Sequence, residues 1–130
     1  MRRVLVLLAA GPLLACTAQQ AASPVPPMTA AQYAGLQHAI GDPKVQAAVA
    51  AGCADRMKTH PAEQLADMAA VLDIDVADTP RVYCERLFAA VARGAISYDD
   101  YAAVQAEKHD PEVMQRMLRA LRQPADERRV

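Results

Sequence analysis

Apolar residues recur every three or four positions through most of this chain, the spacing that lays them along one face of a helix. Leu65, Met68, Ala69 and Leu72 share such a face, as do Cys84, Leu87, Phe88 and Val91. Val113, Met114, Met117, Leu118 and Leu121 make a third stripe. No segment sustains the alternation with period two that marks a half-buried strand. Polar residues between the stripes carry start and stop signals for six helices. Thr29, with Gln32 three residues on, reads as a capping box opening a helix over 30–40, stopped at Gly41. Asp42-Pro43 combines an N-cap with a proline in the first turn and opens the second, to Lys58. His60-Pro61 repeats the device for 61–73, and Thr79-Pro80 repeats it for 80–93, with Gly94 as the stop. Ser97 with Asp100 makes another box for 98–108, and Asp110-Pro111 starts the last helix, to Gln123. The pattern predicts an all-α domain over 29–123, a small bundle of six short helices, with a mobile tail over 124–130.

Composition agrees with helices. The chain is rich in alanine, has no tryptophan and one phenylalanine, and shows few β-branched runs. Its formal charge is −1, with no basic patch suited to nucleic acid. Arg119, Arg122, Arg128 and Arg129 gather late in the chain, but Asp126 and Glu127 interrupt them.

One internal similarity stands out. A shift of 68 residues lays 28–45 on 96–113. Thr29 falls on Ser97, Tyr33 on Tyr101, Gln37 on Gln105, Asp42-Pro43 on Asp110-Pro111 and Val45 on Val113. A duplicated helical hairpin explains this, and so do two hairpins that meet the same capping requirement.

The first fifteen residues differ from the rest. Arg2 and Arg3 precede an apolar run from Val4 to Ala15, a positive start followed by a short hydrophobic stretch. The run is too short for a stable membrane span, which takes about 20 apolar residues. It ends in Leu13-Leu14-Ala15-Cys16. This segment resembles the lipobox of bacterial lipoprotein precursors, with Leu13 at the aliphatic position and Ala15 at the small one. The resemblance covers residues 1–16 only. It implies removal of 1–15 and lipidation of Cys16, so the mature protein would be held to the membrane by its N-terminal lipid. Thr17, rather than Asp, follows the cysteine, which by the same resemblance favours the outer membrane, facing the periplasm. An ordinary secretory signal is the alternative. Removing 1–15 takes away two arginines and no acid, which leaves 115 residues at −3. Residues 16–28, with Pro24, Pro26 and Pro27, then read as the lipidated cysteine and an extended tether.

Cys53 and Cys84 remain in the domain. In an oxidising envelope compartment such a pair is expected to form a disulfide, stapling the second helix to the fourth. The competing reading is a copper site. Cys53, Met57 and His60 lie at i, i+4 and i+7, with His38, Met68 and His109 elsewhere, and soft sulfur and imidazole ligands suit that metal. Against it, His60 is explained as a helix-start residue, and Met57 and Met68 as core filler. Gly94–Tyr101 superficially resembles the second half of an EF-hand loop. Ala89, Val91 and Arg93 would then take ligand positions, and none binds calcium through its side chain. Asp73, Asp75 and Asp78 read as a solvated link, and Tyr33, Tyr83, Tyr98 and Tyr101 as residues at the core edge.

Catalytic motifs are missing. After residue 16 the only serines are Ser23 and Ser97, and there is no G-x-S-x-G, no glycine-rich phosphate loop and no C-x-x-C-H haem attachment. No cofactor is expected. The sequence therefore points to a lipid-anchored envelope protein that is not an enzyme and works as an interaction or structural module with a protein partner. A periplasmic small-ligand or copper binder, and a small helical chaperone or inhibitor, are the alternatives.

Overall fold

The computed structural model describes residues 26–106, 108 and 110–124. The signal-like segment, Cys16, His109 and the tail from residue 125 lie outside the described residues. Within them the chain forms α1 (Ala30–Ala39), α2 (Pro43–Met57), α3 (Ala62–Leu72), a 3-10 turn (Val76–Asp78), α4 (Thr79–Ala92), α5 (Tyr98–Gln105) and α6 (Pro111–Arg122). No strand occurs among the described residues, so the domain is all-α.

Local chemistry sets most helix starts. Thr29 accepts from the Gln32 amide at 3.2 Å while Gln32 Oε1 accepts from the Thr29 amide at 2.8 Å, a complete capping box. Asp42 and Asp110 each accept from the amide two residues on, at 2.8 Å, with proline next in line. Ser97 Oγ accepts from the Asp100 amide at 3.0 Å. Gly94, at φ 72°, ends α4 in the left-handed conformation that lacks a steric penalty only for glycine.

Two starts differ from the sequence expectation. Pro61, not His60, occupies the cap of α3, and no side chain caps it. His60 sits one residue before the cap, and its Nδ1 lies 3.2 Å from Gln64 Oε1. Thr79 is the first helical residue of α4 rather than its cap, because the 3-10 turn leads straight into the helix. Its hydroxyl donates to the Asp75 carbonyl at 3.2 Å, and the residue is fully buried. Helix α5 also stops three residues short of the expected end, at Gln105.

Helix α4 is the centre of the bundle and packs against α1, α2, α3 and α6. Its small residues permit this: Cys84, Ala89 and Ala90 are fully buried, so neighbouring backbones approach closely. On one side Cys84 meets Ala50, Ala54 and Met57 of α2. On the other, Ala90 and Val91 join Tyr33, Ile40, Leu72, Ile96, Ala120 and Leu121. Tyr83 and Phe88 pack against both clusters. Cys53 is bonded to Cys84 with the Cα atoms 5.9 Å apart, which staples α2 to α4.

Arginines tie the helix ends. Arg86 donates to the carbonyls of Leu72 and Leu121, Arg93 to Ala120, and Arg122 to Val71. These carbonyls belong to the last turns of α3 and α6, where no amide further along the helix can reach them and the dipole favours a cation.

The 68-residue similarity has a structural counterpart. Tyr33 donates through its hydroxyl to the Ile96 carbonyl at 2.7 Å, and Tyr101 Oη accepts from the Met28 amide at 3.2 Å. Under the shift Tyr33 corresponds to Tyr101 and Met28 to Ile96. The two contacts thus join corresponding positions in the two directions, although Tyr33 donates to a carbonyl and Tyr101 accepts from an amide. Met28, assigned to the tether from sequence, is therefore docked on the domain: Tyr98 also donates to its carbonyl, at 3.3 Å.

The disulfide closes a loop of 31 residues and should contribute about 3–4 kcal/mol by restricting the unfolded chain. Reduction should lower the melting temperature of the domain by on the order of 15 °C. Circular dichroism melts with and without a phosphine reductant measure this, and superimposable curves would refute the staple.

Candidate interaction surface

Helices α3 and α6 meet through their C-terminal halves, and a cleft of about 200 Å³ lies between them. Met68, Val71 and Leu72 come from α3, Leu118 and Leu121 from α6, and Tyr83 of α4 also lines it. The surface these side chains show to solvent in the cleft is wholly apolar. Asp67 also lines it, and Arg122 donates to the backbone carbonyl of the lining residue Val71 at 3.0 Å.

The apolar surface extends beyond the cleft. Val71 is 43% exposed and Met114, one turn before Leu118, is 41% exposed. The sequence stripe on α6 included Met114 as a core residue. The stripe is wider than the face that α3 and α4 can cover, so burying Val113 turns the adjacent Met114 outward. Burial raises the Tyr83 phenol above its usual range, so its hydroxyl stays protonated and able to donate.

A larger open groove of about 540 Å³ runs between α2 and α4. Ala47, Ala50, Ala51 and Ala54 form its floor, and Arg81 and Glu85 stand at its edge. Arg81 is held at 3.1 Å by both Asp78 and Glu85, an exposed network worth little to stability.

Of the residues singled out as a metal alternative, Cys53 and Met57 both meet Cys84, with Cys53 bonded to it in the disulfide, whereas His60 is exposed against Gln64 and does not join them. His38 is exposed on α1. Among the described residues no group of three or more His, Cys, Asp or Glu side chains is placed to hold a metal ion. Tyr33, Tyr98 and Tyr101 form a three-ring cluster with centroids 5.4 to 6.2 Å apart, packed inward between α1 and α5.

Sequence reasoning did not pick out Asp100 except as part of a cap. Its carboxylate is buried and bound by Arg116 of α6, with Nη2 at 2.7 Å and Nε at 3.2 Å. The two residues are 16 positions apart, so no local rule pairs them. Hydrogen bonding to Arg116, with further help from Ser97, holds the Asp100 carboxyl below its usual range against the opposing effect of burial. The link joins α5 to α6.

Set against known proteins, the chain matches no family, no curated protein and no solved structure.

Because the Asp100 carboxyl titrates lower in the folded state, its stabilising effect is complete above the ordinary aspartate range near pH 3.9 and fades as pH falls through the folded value. Asp100→Asn should cost about 1–3 kcal/mol at neutral pH. Urea unfolding of both proteins from pH 7 down to pH 2 should show that difference shrinking with acid. A difference that is constant with pH would refute the charge-assisted link.

Proposed function

We propose that this protein is a lipid-anchored envelope protein whose helical domain is a non-catalytic interaction module, with the cleft between α3 and α6 as its contact surface. The observation that carries this reading is the cleft itself: wholly apolar in lining and continuous with exposed Val71 and Met114. A surface of this kind gains by burial against another protein. The shape, a groove between two helices with the flexible Met68 on one wall and Leu118 and Leu121 on the other, suits the apolar face of an amphipathic helix. Asp67 in the lining and Arg122 on the Val71 carbonyl would fix its orientation through polar contacts.

The lipobox-like segment supplies the location. No helix among the described residues is long and apolar enough to cross a membrane. Attachment would come from acyl chains on Cys16, several of which together hold a protein stably where one does not. The proline-containing stretch after Cys16 would set the distance between lipid surface and domain. Such a module needs no cofactor and no nucleic acid. It presents its cleft to a protein partner in the same envelope.

Two measurements test this. The intact mass of the protein from its own envelope fraction should begin at Cys16 with added acyl chains, and an unmodified Cys16 would end the anchor. Photo-crosslinking residues placed at Val71 or Met114 should capture the same envelope protein, while those at Val45 and Val104 should not. Val71→Asp and Met114→Glu lie at exposed positions, so they should abolish capture with the melting temperature changed by less than about 3 °C. Capture that ignores position, or survives both substitutions, would remove the cleft from the reading.

A further inference from the structure

The core beside the disulfide brings together the sulfurs of Cys53 and Met57 on α2 and Cys84 on α4, with Met68 of α3 packed against them. Cys53 and Met57 share one face of α2, four residues apart, and Cys84 faces them from α4. Cys53 and Cys84 are bonded to each other, and the Met57 Sδ lies 3.4 Å from Cys84 Sγ. Cys84 and Met57 are buried, whereas Cys53 is partly exposed. The surroundings are Ala50 and Ala54, with Leu65, Met68, Tyr83 and Phe88 packed against them.

We propose that the protein in its dithiol form binds one cuprous ion through Cys53, Cys84 and Met57, and that disulfide formation closes this site. Two thiolates and a thioether form the soft donor set that selects Cu(I). A metal about 2.3 Å from each of three sulfurs needs them about 4 Å apart. The Met57–Cys84 spacing is already close to that, and opening the disulfide lets the third sulfur move to the same range. The oxygen-bearing side chain packed against the cluster is Tyr83, a neutral phenol that burial keeps from ionising and that does not compete with two thiolates, and His60, the imidazole nearest in sequence, points to Gln64. The apolar shell excludes water, which protects the cuprous state, and Cys53 gives the ion a way in.

The chemistry balances. A phosphine or dithiol reductant supplies two electrons, the S–S bond breaks, and two protons from water complete the thiols. Cu(I) then forms two Cu–thiolate bonds as both protons leave to solvent, while Met57 donates a lone pair and releases none. Reoxidation by a protein disulfide takes two electrons from the thiolates by thiol–disulfide exchange, re-forms the S–S bond and expels Cu(I) unchanged in oxidation state. In the disulfide form both cysteine sulfurs lack the charge a ligand needs.

The test is anaerobic titration of the full mature chain with Cu(I) against a chromophoric cuprous chelator. The reduced protein should withdraw one equivalent and the disulfide form none. Met57→Leu, close in volume, should retain the helical circular dichroism spectrum and lose affinity by at least about tenfold, since even changes outside the ligand shell cost that much. Cys53→Ser should abolish uptake. X-ray absorption of the wild-type complex gives an independent readout should Met57→Leu misfold: three sulfur neighbours support the site, and two overturn it. No uptake by the reduced protein, or equal affinity in a folded Met57→Leu, also overturns it.

Discussion

The fold depends on α4 being thin enough to be surrounded. A helix that packs against four others keeps only a narrow face, that of Arg81 and Glu85, for water, so it must offer short side chains where other helices cross and buried polar groups only where they find partners. Cys84, Ala89 and Ala90 meet the first condition and are completely buried. Thr79 meets the second by turning its hydroxyl to the Asp75 carbonyl. The disulfide acts at the crossing of α2 and α4. There Ala50 and Ala54 of α2 meet Cys84 and bury little apolar area each, so a covalent link contributes what larger side chains supply elsewhere.

Long polar side chains complete what the small ones begin. Arg86 and Arg93 leave α4 and end at carbonyls in the last turns of α3 and α6, and Arg122 returns from α6 to α3. Each guanidinium satisfies backbone oxygens that the helix itself cannot, and each joins two elements far apart in sequence. Asp100 with Arg116 does the same between α5 and α6. The bundle is thus held by a covalent tie on one side and by arginine contacts on the other, with Tyr83 and Phe88 packed between.

The 68-residue similarity sets two hairpins in corresponding roles. Two capped hairpins, each opening with Thr or Ser and turning at Asp-Pro, place corresponding tyrosines against the backbone of corresponding residues, Tyr33 donating to the Ile96 carbonyl and Tyr101 accepting from the Met28 amide. Identical residues at six of eighteen aligned positions are weak evidence by themselves in a chain so rich in alanine. The tyrosine contacts under that same shift differ in direction, so a duplicated hairpin and two hairpins that meet the same capping requirement both explain the similarity. The second helices differ: α2 carries the staple and the alanine groove, whereas α6 carries the exposed methionine and one wall of the cleft.

Local rules reached far in this sequence. The helix count, most of the starts and the pairing of Cys53 with Cys84 were legible, because caps, prolines and apolar periodicity act within a turn or two, and two cysteines in one domain have one partner each. His60 and Thr79 were misassigned as caps. Proline placement alone does not say whether the cap falls on the proline itself or whether a 3-10 turn takes over its role. What the sequence could not contain was the rotation of each helix about its axis and the angle at which it crosses its neighbour. Those decide that Met114 faces water while Val113 is buried, that Met57 meets the disulfide while His60 turns away, and that Asp100 finds Arg116. Each of these is a contact between residues whose separation along the chain carries no signal, settled only when close packing of the whole bundle leaves one arrangement without voids or clashes.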